Sequence, residues 1–175
     1  MLYNMNNQSS KAKINSSIAL KVRRMAREKG TYERAKVYFS RHSKESFFMT
    51  GLALYWSHGA QKGGHFHFMS SDPEMVILMN AWIKKYLEGS DFKPKYRLFI
   101  HSSYRNEGLE GFWAKTIGVS QQSFQKTIYA RGYGKEKKAS GYRGSLSIVI
   151  TRIEALRLMV AWQKLLFKYY DDVLR

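Results

Sequence analysis

Four short segments of this chain alternate apolar and polar residues with a period of two, and they constrain its fold more than any other feature. The segments are His65–Phe68, Lys95–His101, Phe124–Arg131 and Tyr142–Thr151. Because successive side chains along a strand point to opposite faces, each segment predicts a strand with one apolar face and one face rich in hydrogen-bond donors. Strands of this kind are typical of an antiparallel sheet that is covered on one side only.

The polar face of the predicted sheet is where we expect a ligand to bind, because helices leave it open. It offers the side-chain types that contact guanine, adenine and phosphate in nucleic acids. An ordinary solvated sheet face is the alternative interpretation. The side chains expected on this face are His65, His67, Lys95, Arg97, His101, Gln125, Thr127, Tyr129, Arg131, Arg143 and Ser145.

Helical patterns fill the intervals between the predicted strands. A basic amphipathic helix is expected to begin at Ser16 or Ser17 and to stop at Gly30. Segment 45–56 is apolar on all sides, which predicts burial on all sides. The predicted helices cover 16–29, 33–39, 45–56, 72–87, 106–117 and 153–170. The order predicts an α+β fold, a four-stranded antiparallel sheet with helices on one face and an open, polar, concave face.

We expect one folded domain over 43–175, preceded by a flexible lead over 1–15 and a basic helical extension over 16–42. The chain has no cysteine, which excludes disulfides, thiolate zinc sites and cysteine nucleophiles. No stretch approaches the roughly 18 apolar residues of a membrane span, and the opening residues lack the apolar run of a signal peptide. The expected location is therefore cytoplasmic, with no membrane partner.

The chain carries a formal charge of +17, from 30 Lys and Arg against 13 Asp and Glu. Its 44% hydrophobic content excludes a disordered polybasic tail. This surplus indicates a polyanionic partner, nucleic acid first, because cations that neutralise phosphates release counterions. A merely soluble cationic surface and contact with an anionic membrane are the alternatives. The loop that starts at Arg131 is expected to clamp the nucleic-acid backbone through Lys135, Lys137 and Lys138.

Common catalytic and metal-binding signatures are missing from the sequence. Segment Gly132–Lys135 lacks both the spacing and the following Ser or Thr of a phosphate loop, and there is no nucleophile elbow. His65 and His67 share a strand face and could chelate a metal, but no third ligand is near them in the sequence. No metal site is therefore predicted.

The segment Ala53–Gly59 resembles the end of the signature helix of the LAGLIDADG homing endonuclease family. A small residue stands six positions before a terminal glycine, apolar residues lie between, and a turn into a strand follows. A helix that begins with Ser71–Glu74 and further alternating strands come in the order that this family uses. The resemblance covers residues 45–170 approximately.

The resemblance implies a saddle-shaped sheet whose polar face lies in the major groove of double-stranded DNA. It also implies that two signature helices pack side by side through small residues. A chain with one such helix would then form a homodimer through Gly51, Ala53 and Ser57.

The residue before the terminal glycine is an acid that holds a divalent metal in that family, whereas here it is His58. No Asp or Glu lies between Glu45 and Asp72. Because Mg²⁺ prefers carboxylate and water oxygens, we expect DNA binding with little or no cleavage and no cofactor. Mg²⁺ is expected only if the protein is an active nuclease, with His58 as the candidate catalytic residue, a general base.

The leading hypothesis is a homodimeric, sequence-specific double-stranded DNA-binding protein, nucleoid-associated when it is bound to DNA. An active homing-type endonuclease, an RNA-binding, maturase-like splicing factor and a basic scaffold component of a ribonucleoprotein are the alternatives. Phe99 and Tyr129 on the expected polar face could stack on bases, which favours RNA among these alternatives.

Overall fold

The computed structural model describes residues 2–61, 63–87, 92–130 and 141–175. Two single-turn 3₁₀ helices, Ser102–Tyr104 and Gln121–Ser123, supplement the main elements. Within the described ranges, no helix is both long and apolar enough to span a membrane. The main elements are α1 (Leu2–His42), α2 (Ser46–His58), β1 (Phe66–Ser70), α3 (Pro73–Tyr86), β2 (Lys95–His101), α4 (Leu109–Ile117), β3 (Phe124–Ala130), β4 (Ser145–Ile150), α5 (Ile153–Tyr169) and α6 (Asp171–Leu174).

The predicted α+β class and the four-stranded sheet are confirmed. The strand order is β1-β4-β2-β3, with β4 antiparallel to both β1 and β2. The prediction of an entirely antiparallel sheet is wrong, because β2 and β3 are parallel. Parallel neighbours need a crossover connection, and α4 supplies it between these two strands.

One face of the sheet carries the core. Its eight inward side chains are at most 2% exposed: Phe66, Phe68, Tyr96, Leu98, Ile100, Leu146, Ile148 and Ile150. Trp82, Trp113 and Trp162 join the same core, as their spacing in the helices predicts. Each indole N–H donates to a backbone carbonyl, at 2.8–3.2 Å, so burial leaves no unsatisfied indole donor.

A buried polar link also attaches α3 and α4 to this covered face. The Tyr96 hydroxyl donates to Asn80 of α3 at 2.7 Å, and the Asn80 amide donates to the Ile117 carbonyl of α4 at 3.1 Å. Both helices therefore lie on the apolar side of the sheet.

Helix α1 is continuous through Gly30, so the predicted break there is wrong. A glycine inside a helix costs about 1 kcal/mol relative to alanine, and tertiary packing of the following turns offsets this cost. Ala35 and Phe39 are buried against the core, and α1 packs along α5. The lead predicted over 1–15 also lies in this helix from Leu2 onward. In contrast, every side chain from 15 to 29 is exposed.

Glu45 joins the ends of three helices. Its carboxylate accepts from Lys85 and Tyr86 at the end of α3, both at 2.8 Å, and lies 2.6 Å from the His42 ring of α1. The hydrogen bonds from Lys85, His42 and Tyr86 lower the pKa of Glu45 to about 2. The helical layer is thus fastened at the corner where α2 begins.

Candidate nucleic-acid interface

The uncovered face of the sheet forms a groove of about 360 Å³, which we call the open-face groove. Strands β1, β2, β3 and β4 all contribute side chains, and the segment before β1 adds two residues. Its lining residues are Gly64, His65, His67, Arg97, Phe99, Gln125, Ser147, Val149 and Thr151. Four residues predicted for the polar face, His65, His67, Arg97 and Gln125, are therefore brought together.

The strand register explains why these residues meet. Arg97 of β2 lies between Ser147 of β4 and Gln125 of β3. Paired residues on neighbouring strands share a face, so the three side chains form a row across the sheet. The alternation predicted this face for each strand, but only the register places them side by side.

The open-face groove is cationic in character. Within the described part of the chain, no carboxylate lines it. The Nε atom of Arg97 is buried and has no hydrogen-bond partner among the described residues. A buried donor of this kind is costly unless a ligand or water satisfies it. Lys95, exposed at the start of β2, adds a further positive charge on the same face.

His67 is the titratable residue of the groove with a displaced pKa. Burial lowers its pKa, and the nearby His65 and Arg97 lower it further. The rings of His65 and His67 lie 6.0 Å apart between centroids. His67 is therefore largely neutral at pH 7 and gains its charge only in more acidic solution, or when an anion approaches.

Tyr55 holds β1 and its histidines against the end of α2. The Tyr55 hydroxyl donates to the Ala60 carbonyl at 2.9 Å, and its ring stacks on Phe66 at 4.5 Å between centroids. Burial raises the pKa of Tyr55 to about 12. Gly59 makes this approach possible, because a Cβ there would lie 2.5 Å from the Tyr55 ring.

A bulge in β3 overturns the predicted orientation of Thr127. The β2–β3 pairing steps from Arg97–Gln125 to Phe99–Ile128, so β3 contains one extra residue. An extra residue reverses which side chains face each side of the sheet. Thr127 is consequently buried on the helical side, where its hydroxyl donates to Glu110 of α4. Ile128 takes the open face beside Phe99 instead. Strict alternation along β3 would place Ile128 in the core.

Tyr129 also lies away from the groove, contrary to the prediction. Its half-buried ring packs against the core beyond the bulge. The guanidinium carbon of Arg105 lies 4.3 Å from the ring centroid. Tyr129 therefore lies off the open face, whereas Phe99 lines the open-face groove as predicted.

Three further predicted residues lie at the end of the sheet where β2 finishes and β4 begins. Ser145 pairs with Phe99 and stays on the open face. His101 does not line the groove, and its ring contacts the Ser103 hydroxyl at 2.7 Å. Arg143 extends toward α4, with its guanidinium carbon 5.1 Å from the Phe112 ring centroid. The expected position of Arg143 on the open face is therefore wrong, because its side chain lies against Phe112 of α4, and its contribution to binding stays a prediction.

The clamp predicted in the loop before β4 lies outside the described residues. This applies to Arg131, Lys135, Lys137 and Lys138. Their contribution to binding stays a prediction.

Helix α2 is buried on one side only, so the prediction of burial on all sides is wrong for the single chain. Gly51 packs within the chain, since a Cβ there would lie 2.1 Å from the Trp82 ring. This contact removes Gly51 from the predicted dimer interface. Ala53 and Ser57 face outward, together with Trp56, which is 45% exposed. A dimer through these outward residues stays a prediction.

His58 is exposed at the end of α2. Its Nδ1 atom lies 2.7 Å from the Ser57 hydroxyl, and its ring lies 6.3 Å from that of Phe68. No group of three His, Cys, Asp or Glu that could hold a metal occurs among the residues described. The imidazole of His58 and the Ser57 hydroxyl are poor ligands for Mg²⁺, which prefers carboxylate and water oxygens.

Two residues of the open face that were not predicted, Val149 and Ile128, add apolar surface beside the polar row. Val149 follows the strand alternation and could have been found, whereas the bulge that exposes Ile128 has no signal in the pattern. Together with Phe99 they make the open face partly apolar. Comparison of the chain with family models, with curated proteins and with solved structures finds no match.

Proposed function

We propose that the protein binds double-stranded DNA sequence-specifically through the open-face groove. One observation carries the proposal: Arg97, Gln125 and two histidines converge on an uncovered sheet face that no described carboxylate lines. The net charge of +17 favours a polyanion over other ligands. A sheet face of this kind can enter the major groove, where base edges are distinguishable.

The row across the sheet matches the chemistry of base recognition. An arginine pairs with guanine through two hydrogen bonds, and a glutamine pairs with adenine in the same way. Arg97 and Gln125 are direct neighbours across the β2–β3 pair. In the proposed complex they contact adjacent base edges, while the partly exposed Ser145 accepts or donates a single hydrogen bond.

Binding without cleavage is part of the proposal. His58 stands where the LAGLIDADG family, which the sequence resembles, has a metal-binding acid, and the described residues include no group of three His, Cys, Asp or Glu that could hold a metal. We extend the resemblance to a homodimer that uses the outward face of α2. This face carries Ala53, Trp56 and Ser57, and a two-fold dimer would read a roughly palindromic site.

RNA is a second candidate ligand because of one observation. Phe99 lines the groove next to the polar row, and Ile128 is exposed beside it. An aromatic ring on an open sheet can stack on an unpaired base, which a duplex would keep stacked inside its own helix. An RNA-binding splicing factor would use the same face.

Selection and competition on the purified protein test the proposal. We expect one sequence to be enriched from a randomised duplex pool. Binding that involves 6–10 phosphates should weaken by about 10³–10⁵ between 50 and 200 mM salt. Affinity that hardly changes with salt, or an unenriched pool, would overturn the proposal. Stronger binding to folded or single-stranded RNA than to any duplex would favour the second candidate.

Catalysis is tested separately with supercoiled plasmid carrying the selected site, in Mg²⁺ or Mn²⁺. The expected result is binding without nicking. Metal-dependent nicking that His58→Ala abolishes would replace the proposal with an active endonuclease.

A further inference from the structure

A second and larger concavity lies between α1 and α5, and we call it the α1–α5 cleft. Its volume is about 860 Å³. Residues of α1 form one wall, residues of α5 form the other, and the segment before β1 closes one end. The charged residues that line it are Arg24, Glu28, Lys29, Arg157 and Lys164.

The described residues that line the cleft include four cations and one carboxylate. Glu28 is exposed and is bonded to Arg24 at 2.8 Å. The hydrogen bond from Arg24 lowers the pKa of Glu28, and charges on Arg157 and Lys164 lower it further across the cleft. The two α5 cations therefore lie close enough to α1 to act on a group bound between the helices.

The cations are spaced along the cleft rather than gathered around one point. Arg157 and Lys164 are seven residues apart on α5, which is about 10 Å along a helix axis. Because these backbone positions are well separated, successive phosphates of a nucleic-acid backbone match the two cations better than a single phosphate does. The spacing therefore favours an extended polyanion over a small anion.

The cleft and the open-face groove share a border. Gly64 lines both concavities. Gly63 and Gly64 have positive φ angles of 110° and 79°, and neither has a side chain to obstruct the passage. A backbone that leaves the open face over this glycine pair enters the cleft directly.

We propose that the α1–α5 cleft binds the phosphodiester backbone of the nucleic-acid segment next to the one on the open-face groove. This inference rests on the proposed function and extends it, because it adds a second contact region outside the sheet. The segment in the cleft is held by charge and not by base recognition. The cleft therefore contributes affinity without sequence preference.

The test compares two doubly substituted proteins with the same loss of charge. Arg157→Gln with Lys164→Gln removes the two α5 cations of the cleft. Lys84→Gln with Lys115→Gln is the control, since these exposed lysines of α3 and α4 line neither concavity. Affinity is measured against salt for duplexes of increasing length around the selected site. Thermal unfolding followed by circular dichroism checks that each variant is folded.

On long duplexes the cleft variant is expected to lose about 2 units of the log–log salt slope, one for each lost phosphate contact. On the shortest bound duplex, which fills only the open face, it should match the wild type. The control variant should keep the wild-type slope at every length. Equal slopes for the cleft and control variants on long duplexes would overturn the inference while leaving the proposed function intact.

Glu28→Gln should change the affinity in the opposite direction to the cleft variant. Removal of Glu28, the only carboxylate among the described residues that line the cleft, should strengthen binding to long duplexes and leave binding to short ones unchanged. Weaker binding by this variant would also overturn the inference. A wild-type protein that binds no nucleic acid of any length would instead overturn the proposed function, and the inference with it.

Discussion

The two faces of the sheet are built by the same four strands, yet they differ in almost every physical respect. On β2, Tyr96, Leu98 and Ile100 are at most 2% exposed, whereas Arg97 and Phe99 between them line an uncovered groove. Along one strand, alternate residues therefore either pack in the core or line the groove. The covered face supplies the free energy of folding, and the open face is left with the buried Nε donor of Arg97, which a ligand or water must satisfy.

Leu98→Ala should have the largest effect on the covered face. It removes a fully buried side chain, so the free energy of unfolding should fall by about 2–5 kcal/mol. Urea unfolding measures this loss. Phe99→Ala is the control one residue away, and it should cost clearly less stability but weaken binding. Equal stability losses for the two variants would contradict the view that the covered face stabilises the fold while the open face binds a ligand.

Arg97→Gln should have the largest effect on the open face. Loss of a bidentate guanine contact costs about 1–3 kcal/mol of binding and relaxes specificity at one base pair. Stability should change little, because Arg97 makes no ion pair among the described residues. Competition between the selected duplex and single-base variants of it measures the effect, with Lys84→Gln as control. Unchanged specificity would exclude Arg97 from base recognition.

Thr127→Val tests on which face of the sheet Thr127 lies. The substitution removes the hydroxyl that donates to Glu110, and hydrogen bonds to charged groups contribute about 1.5–3 kcal/mol. We expect a loss of stability near the lower end of this range and no loss of DNA affinity.

Thr116→Val is the matched control for Thr127→Val, because its hydroxyl donates only to the Phe112 carbonyl within α4. It should cost less in urea unfolding. A marked loss of DNA affinity for Thr127→Val would return this residue to the open face and contradict the bulge.

The difference between Gln125 and Thr127 shows how far the sequence carries a prediction. Both residues fit one period-two pattern, and the pattern places Gln125 correctly. The bulge between them depends on how β3 pairs with β2, a contact between distant parts of the chain. Alternation therefore predicts that strands exist and which residues share a face up to the bulge. It does not predict their register or the parallel pairing of β2 with β3.

Packing between residues that are distant in the sequence also explains the other differences between the predictions and the structure. Gly51 has the small size expected of a helix interface, but Trp82, thirty-one positions later, occupies that space. The α1–α5 cleft joins residues near Arg24 with residues near Lys164, so no local pattern indicates it. The +17 charge, in contrast, needs no fold to be read, and it remains the strongest sequence-level reason to propose nucleic acid.

The smallest expected effect comes from protonation of His67. As pH falls, it should lower the stability of the folded protein and raise the affinity for DNA. Its folded pKa is lowered, so the unfolded chain binds its proton more readily. The stability that the neutral form contributes is therefore complete above the unfolded pKa of about 6.5 and is lost as pH falls through the folded pKa. A bound phosphate favours the protonated ring, so DNA affinity should rise over the same fall in pH.

One extra charge can add at most about 0.9 to the salt slope of duplex binding. We therefore expect the slope at pH 5.5 to exceed that at pH 7.5 by a fraction of one unit in the wild type. His67→Gln should show neither this increment in the salt slope nor the small decrease in stability in acid. His58→Gln, an exposed histidine outside the groove, should retain both. An unchanged increment in His67→Gln would show that the open face binds its ligand away from β1 and would move the interface toward the β2–β3 pair.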